Sequence, residues 1–333
     1  MSTVLLVGAG AVGVRAARQL LDTPGLERLL ITDRTSERAE ALAAGLGDAA
    51  SSLPWDAPAP PGVTALALAI PAVLGADGAR QAVMAGIPVA AVADDSGINE
   101  LLDLDDTARA AGVAIAVGTG LAPGLADVLA RHAANALDRA DEVHVARAGA
   151  GGESCVSALR RMRRERSLEW HDGAWRTDRP LGPELVWFPD PIGARECQLV
   201  TPGVALLRDA LPGVARATVR VAEPPVRNSA LALVSRKPAD DGWGAVRVQV
   251  WGWRAGAREV IVYGVIERPA VAAGTVLAVT AARLAGLLPA VAFATDVPAG
   301  AFGLGELVEP APFLAELARR GVKAAAFEGV AVA

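Results

Sequence analysis

The feature that most constrains this chain lies at its start. Val4-Leu5-Leu6-Val7, an apolar run, breaks into Gly8-Ala9-Gly10-Ala11-Val12-Gly13, and Val14 to Leu21 follow with helical spacing. An uninterrupted apolar run of this length reads as a parallel strand buried on both faces. Strand, Gly-x-Gly-x-x-Gly and helix, in that order, form the fingerprint of a dinucleotide-binding turn. Gly8 permits the tight turn. Gly10 has no Cβ, so a pyrophosphate can approach the backbone. Gly13 lets helix and strand pack closely. The helix N-terminus then offers unpaired N–H groups and a positive dipole end. A second apolar strand, Leu29-Leu30-Ile31-Thr32, ends in Asp33. Asp33 lies about 20 residues past the glycines, where a carboxylate accepts ribose hydroxyls. Glycines kept for packing alone would share the pattern without the carboxylate.

Length and composition narrow the class. The chain has 333 residues, enough for two domains. Hydrophobic residues make up 52% and aromatic residues only 4%, so the core is built of Ala, Val and Leu. That favours α/β layers over a β-sandwich. A net charge of −5 argues against nucleic acid or an anionic membrane surface as partner. The cysteines, Cys155 and Cys197, form no Cys-x-x-Cys, which points to a reducing compartment. No charged n-region precedes the first strand, and the uncharged runs Val63 to Ala76 and Pro269 to Ala282 are too short to span a bilayer. The expectation is a soluble, cytoplasmic protein.

Strands and helices alternate through the first part. Helices are expected over Ser36 to Gly45, Ala76 to Ala85, Asn99 to Ala111 (with Asn99 as N-cap) and Leu125 to Leu137. Strands are expected over Val63 to Ile70, halted by Pro71, over Ile87 to Ala93, and over Val113 to Val117. Asp48 to Gly62 reads as loop with at most a short strand. This alternation predicts a doubly wound parallel sheet, an α/β Rossmann arrangement. After a sixth strand, Glu142 to Ala148, the pattern changes. A glycine-rich loop, Gly149 to Gly152, precedes an arginine-studded helix over Ser154 to Arg166. Leu168 to Arg176 reads as a hairpin turning at His171-Asp172-Gly173. Ala215 to Ala222, Ala245 to Arg254 and Arg258 to Glu267 alternate as strands, the last two joined at Ala255-Gly256. The second domain is therefore expected to be α+β, built on an open mixed or antiparallel sheet. Pro269 to Leu288 and Pro310 to Arg320 read as helices, and Val322 to Phe327 as a last strand.

In an open α/β sheet, ligands bind beyond the carboxyl ends of the strands. Those ends are Gly8–Gly13, Asp33, Pro71, Asp94-Asp95-Ser96-Gly97 and Gly118–Gly124. The first two suit the ADP half of a dinucleotide and the last two its nicotinamide. Asp94 and Asp95 are adjacent and point to opposite faces of a strand, so only one faces the pocket. Both could equally cap the helix that follows. Pro123-Gly124 opens a helix whose free N–H groups could hold an amide or carboxylate. The expected cofactor contacts are Gly8, Gly10, Ala11, Val12, Gly13, Asp33, Arg34, Pro71, Asp95, Ser96, Gly120, Pro123 and Gly124. Asp33 favours NAD, because its charge repels a 2′-phosphate; Arg34 or Arg38 could hold that phosphate, which keeps NADP open. His132, His144 and His171 lack ligand spacing, the cysteines are far apart, and no metal site is expected. No Gly-x-Ser-x-Gly elbow surrounds Ser154 or Ser157, and Tyr263 has no lysine four residues on.

These residues resemble the saccharopine dehydrogenase-like oxidoreductases, and more closely their lysine 6-dehydrogenase branch. The likeness rests on Gly8–Gly13, on Asp94-Asp95-Ser96-Gly97, and on Gly118-Thr119-Gly120-Leu121-Ala122-Pro123-Gly124-Leu125-Ala126-Asp127. It extends to the C-terminal order: a strand to Glu267, an alanine-rich helix from Pro269, and Phe313 to Val322. The resemblance implies a nicotinamide-dependent oxidoreductase acting at a carbon–nitrogen bond, oxidising an amino acid or opine-like amine to an imine, or the reverse. It also implies that the C-terminal segment returns to the nucleotide domain. The expected division is residues 1–125 plus about 300–333 for the dinucleotide, and 126–299 for substrate and dimerisation. The stretch Gly149 to Pro202 matches no substrate-binding pattern, which leaves the substrate open.

The candidate catalytic or substrate-binding residues are Asp94, Asp95, Arg147, Arg195 and Arg227. A guanidinium forks well onto a carboxylate, so any of the three arginines suits a carboxylate-bearing small molecule. Arg160-Arg161-Met162-Arg163-Arg164 reads as a solvated helix face. A C=C or C=O reductase of the same fold, or a non-catalytic nucleotide-binding sensor, fits the same glycine turn. The tryptophan-rich second sheet is the expected homodimer face.

Overall fold

The computed structural model describes residues 2–93, 97–177, 183–223, 242–288 and 297–327. The opening run is β1 (Thr3–Val7). It leads into α1 (Ala11–Leu21), β2 (Arg28–Thr32), α2 (Ser36–Leu46), β3 (Ala50–Ser52), β4 (Val63–Leu68), α3 (Ala72–Met84) and β5 (Val89–Ala91). Then come α4 (Ile98–Leu102), α5 (Asp105–Ala111), β6 (Ala114–Val117), α6 (Leu125–Ala134), β7 (Arg139–Ala148) and α7 (Glu153–Met162). The hairpin β8 (Leu168–His171) and β9 (Ala174–Thr177) is followed by β10 (Glu184–Phe188), β11 (Gly193–Val200), α8 (Val204–Ala210) and β12 (Arg216–Ala222). The chain continues through β13 (Gly244–Arg254), β14 (Ala257–Glu267), α9 (Pro269–Leu284), β15 (Gly300–Gly303), α10 (Leu304–Leu307), α11 (Pro310–Arg319) and β16 (Ala324–Phe327).

The first sheet is parallel, in the order β3-β2-β1-β4-β5-β6-β15. The first six strands follow the doubly wound order, with β1 at the centre and the strand order reversing beside it. β1 is central because both faces of its apolar run are covered. Val4 and Leu6 pack with Ala16, Ala17 and Leu20 of α1, while Leu5 packs with the strands and helices of the opposite face. α9 lies across α1. A Cβ on Gly274 would sit 2.6 Å from the Arg15 Cβ and 2.9 Å from the Val12 carbonyl oxygen, so glycine permits this close crossing. Leu277, Ala278 and Ala281 of α9 join the first sheet's core, and Ala272, Val276 and Val279 join the second. One helix of small residues thus mortars both layers.

The second sheet is mixed, in the order β10-β11-β12-β7-β13-β14-β16, with β8 against β12 and β9 against β8. Its strands alternate with period two. Val143 and Val145, Ala217, Val219 and Val221, and Val246, Val248 and Val250 face the helices, while Glu142, His144, Arg216 and Thr218 face away. Both expected hairpin turns form. Asp172 and Gly173 have φ of +49° and +75°, and Ala255 and Gly256 have +49° and +82°, the left-handed pairs that match strand twist.

Several boundaries differ from the expectation. The helix expected over Asn99 to Ala111 is two, α4 and α5, and Gly97 rather than Asn99 is the first N-cap. Helix α3 starts at Ala72, directly on Pro71, rather than at Ala76. Helix α9 stops at Leu284 because Gly286 turns left-handed at φ +75°. Strands β10, β11 and β15 and helices α8 and α10 carry no expectation from the sequence. Their apolar patterns are short, and their pairing partners lie elsewhere in the chain.

Candidate functional site

The glycine turn divides its labour as its chemistry requires. Gly8 has φ +105°, and a Cβ there would lie 2.7 Å from the Ala69 carbonyl oxygen. A Cβ on Gly13 would lie 1.8 Å from the Gly8 oxygen. A Cβ on Gly10 meets nothing within 4 Å, and Gly10 lines a cleft. Gly8 and Gly13 therefore serve packing, while Gly10 leaves open the space that a pyrophosphate needs. This backbone fits a dinucleotide.

Asp33 is half-buried at the end of β2. Its Oδ2 accepts the Ala9 N–H at 2.7 Å and its Oδ1 accepts the Thr35 N–H at 2.8 Å. The carboxylate thus pins the glycine turn to the second strand. Each oxygen keeps a second lone pair for a ribose hydroxyl.

The cleft holds about 450 Å³ and runs between the two sheets. One wall is the carboxyl edge of the first sheet: Ala9 to Val12, Ala69 to Pro71, Val92, and Gly120 to Ala122. The other is the end of β7 and the start of α7: Arg147, Gly149, and Gly151 to Cys155. Arg15 and Arg38 also line it. Among the described residues its charged lining is three arginines and Glu153, in a chain whose net charge is −5. An acidic protein that gathers arginine in one cleft favours an anionic ligand there.

The sequence-derived candidates separate clearly. Gly10, Ala11, Val12, Pro71 and Gly120 line the cleft; Gly8 and Gly13 lie behind it. Arg34 is exposed beside Asp33 and is not part of the lining. Arg147 is only 7% exposed and faces the cleft from β7, one strand step beyond the core residues Val143 and Val145. Arg195 is not brought to it. It is exposed on β11, near the sheet edge, and donates to the Ala194 carbonyl at 2.8 Å. Asp94, Asp95, Ser96 and Arg227 lie outside the described residues.

The expectation for Pro123 and Gly124 is corrected. The N–H groups at the start of α6 are committed within the loop. Gly124 N–H donates to Asp127 Oδ2 at 2.9 Å, Leu125 N–H to Gly120 O at 3.0 Å and Ala126 N–H to Leu121 O at 3.0 Å. Pro123 and Gly124 are buried, and neither lines the cleft. A Cβ on Gly124, at φ +124°, would lie 2.4 Å from the oxygens of Gly118 and Gly120. This turn shapes the cleft wall by folding on itself. Asp127 is 3% exposed, and burial pushes its carboxyl up to about 7, with the nearby Glu306 carboxylate adding to the effect.

The other polar candidates are structural. His132 packs against the Tyr263 ring, with centroids 5.4 Å apart. His144 Nδ1 lies 2.8 Å from Thr218 Oγ1 on the outer sheet face. Burial drives the Cys197 thiol up to about 11. Arg160, Arg161 and Arg164 are exposed, as expected of a solvated face, but Met162 is buried and Arg163 is half-buried and pairs with Glu223 at 3.7 Å. No group of three metal-ligating side chains occurs among the described residues. No helix among them is long and apolar enough to cross a membrane.

Arg147 apart, the sequence offers no candidate on the second wall. Its signal was present: Gly149 to Gly152 also follows a strand and opens a helix, repeating the order of the first turn. What hid it was the change of sheet, because the two turns face each other only after the two sheets come together. Gly152, at φ +116°, would place a Cβ 3.1 Å from the Ala11 Cβ.

A family model described as shikimate/quinate 5-dehydrogenase matches residues 1–56, the segment holding the glycine turn and Asp33. No curated protein matches the chain in sequence. Among solved structures, apo saccharopine dehydrogenase (L-Glu forming) from Saccharomyces cerevisiae aligns at a TM-score of 0.70 and 14% identity, covering 98% of this chain and 100% of that one. Amine dehydrogenase from Mycobacterium smegmatis aligns at 0.55 and 11% identity, covering 92% and 96%. Diaminopimelate (DAP) dehydrogenase of C. glutamicum, solved with DAP, aligns at 0.52 and 16% identity, covering 96% and 99%. At these identities the likeness is one of architecture: the chain has the fold of saccharopine dehydrogenase.

Proposed function

We propose that this protein is an NAD(P)-dependent oxidoreductase of the saccharopine dehydrogenase-like kind, acting on the carbon–nitrogen bond of an amino-acid-like substrate. The observation that carries this reading is one cleft with the glycine turn on one wall and the buried Arg147 on the other. The backbone of Gly10 to Val12 and the N-terminus of α1 hold the pyrophosphate. Asp33 keeps that turn against β2. Arg147 grips the substrate carboxylate, and its burial strengthens the ion pair. A bound nicotinamide supplies the hydride donor or acceptor. Among the described residues the lining contains one carboxylate, Glu153, and no histidine. Few proton-transfer groups suit an iminium, whose carbon is already electrophilic. The solved dehydrogenases of the same fold, whose names include saccharopine, amine and DAP dehydrogenases, support the same substrate class.

The test is a screen of amino acids, with lysine at its head, and of keto-acid and amine pairs, followed by nicotinamide absorbance. Turnover of amines or imines is the expected result. Turnover confined to C=C or C=O substrates replaces the reading with a reductase, and binding without any turnover replaces it with a sensor. The reading includes a homodimer through the second sheet, where Trp187 and Trp253 stand exposed on β10 and β13. A monomer in light scattering would remove that part.

A further inference from the structure

The end of the cleft beside β2 carries more than a dinucleotide fingerprint. Of the charged residues between Asp33 and Glu40, Arg38 alone lines the cleft. Its guanidinium makes no ion pair or hydrogen bond among the described residues, and neither does that of Arg34. Both side chains are exposed, Arg38 on the cleft lining and Arg34 four residues before it on the approach to α2. The carboxylate that would oppose an anion, Asp33, is drawn into two backbone N–H bonds, which offset part of its charge and hold it against the turn. Helix α2 starts at Ser36 without a side-chain cap on its first N–H groups, so its positive end adds to the same field.

We propose that Arg38, assisted by Arg34, binds the 2′-phosphate of the adenosine ribose, and that the protein takes NADP(H) in preference to NAD(H). This rests on the dinucleotide reading of the cleft and names which dinucleotide it selects. A guanidinium is the side chain best shaped for a terminal phosphate, which it can meet with two parallel N–H bonds. The residue decides cofactor choice and takes no part in the hydride step.

The test is a titration of the protein with NADPH and with NADH, read by the emission of the reduced nicotinamide, so that no substrate is needed. The expected result is at least tenfold tighter binding of NADPH. Arg38→Ala reduces the ratio of the two dissociation constants about tenfold, and Arg38→Lys reduces it less. Arg164→Ala, an exposed arginine remote from the cleft, leaves the ratio unchanged. Displacement of NADPH by 2′,5′-ADP but not by 5′-ADP at the same concentration localises the preference to the 2′-phosphate. Equal or tighter binding of NADH, or a ratio unmoved by Arg38→Ala, overturns the inference and leaves the dinucleotide reading standing. Failure of both cofactors to bind overturns both.

Discussion

The carboxylate of Asp33 accepts the Ala9 N–H at 2.7 Å, joining the end of the second strand to the glycine turn that follows the first. The same side chain accepts the Thr35 N–H at 2.8 Å. A residue expected to contact ribose is thus first a brace for the backbone that would hold the pyrophosphate. Asp33→Ala removes both acceptors and leaves two N–H groups to find water. It is expected to cost about 1–3 kcal/mol, read as a lower midpoint in urea, and to weaken NADPH and NADH binding together.

The glycines of the turn separate folding from binding. Gly13→Ala drives a Cβ to 1.8 Å from the Gly8 carbonyl oxygen, a backbone contact that cannot swing away. It is expected to destabilise by more than about 4 kcal/mol. Gly10 has φ −81°, which alanine adopts freely, and open space where the Cβ would go. Gly10→Ala is expected to keep the wild-type thermal midpoint, or to raise it slightly, while losing dinucleotide affinity. Thermal unfolding and nicotinamide fluorescence on the two variants distinguish the roles.

Arg147 and Arg195 form a contrasting pair for testing the proposed substrate site, since Arg147 lines the cleft and Arg195 does not. Arg147→Met keeps much of the buried volume and removes the charge. The expected outcome is a KM for the carboxylate substrate raised roughly 10- to 100-fold, the worth of a charge-assisted hydrogen bond, with kcat less affected. Arg195→Ala, on the exposed β11, is expected to leave both constants near wild type. Steady-state kinetics on the substrate found by the screen check the contrast.

Asp127 makes stability depend on pH in an unusual direction. Its carboxyl titrates near 7 when folded, against an ordinary value of 3.8. Between about pH 4 and about pH 7 the folded state keeps a proton that the unfolded chain has released. This group's contribution therefore falls as pH rises through that window, and the penalty is complete above it. Asp127→Asn retains an oxygen for the Gly124 N–H and removes the titration. It is expected to flatten that part of the pH profile and to be relatively more stable at pH 8, measured by denaturant unfolding across the range.

Arg320 ties the last helix to the first. Its guanidinium donates to the Gln19 carbonyl at 2.9 Å and to Thr23 Oγ1 at 3.1 Å, and it pairs with the buried Glu316 at 2.6 Å. Arg320→Ala strands part of that pairing and is expected to cost about 3 kcal/mol or more, visible in the urea midpoint.

Much of the first sheet was legible because its signals are local. An apolar run, a glycine and a helical period lie within a dozen residues of one another. The same holds for Asp172-Gly173 and Ala255-Gly256, where a left-handed pair selects a hairpin. Strands β10 and β11 were not legible. Leu185 and Trp187 of β10 are exposed while Val186 and Phe188 are buried, so apolar residues occupy both faces and the sequence shows no alternation to mark the buried one. The turn at Pro123-Gly124 misled for a related reason. A helix start looks like an anion site in sequence, but here Gly120, Leu121 and Asp127 come back to satisfy it.

The sequence by itself determined the glycine turn and the parallel α/β alternation, since each depends on neighbours along the chain. Only the tertiary structure decided which arginine serves the cleft. Arg147 and Arg195 look alike in sequence. One sits on β7, inside the second sheet, with its side chain on the face turned toward the glycine turn; the other sits exposed on β11 near the edge. Strand register and the packing of α9 between the two cores bring Gly149 to Cys155 opposite Gly10. Those contacts join segments distant in the chain, and no local pattern encodes them.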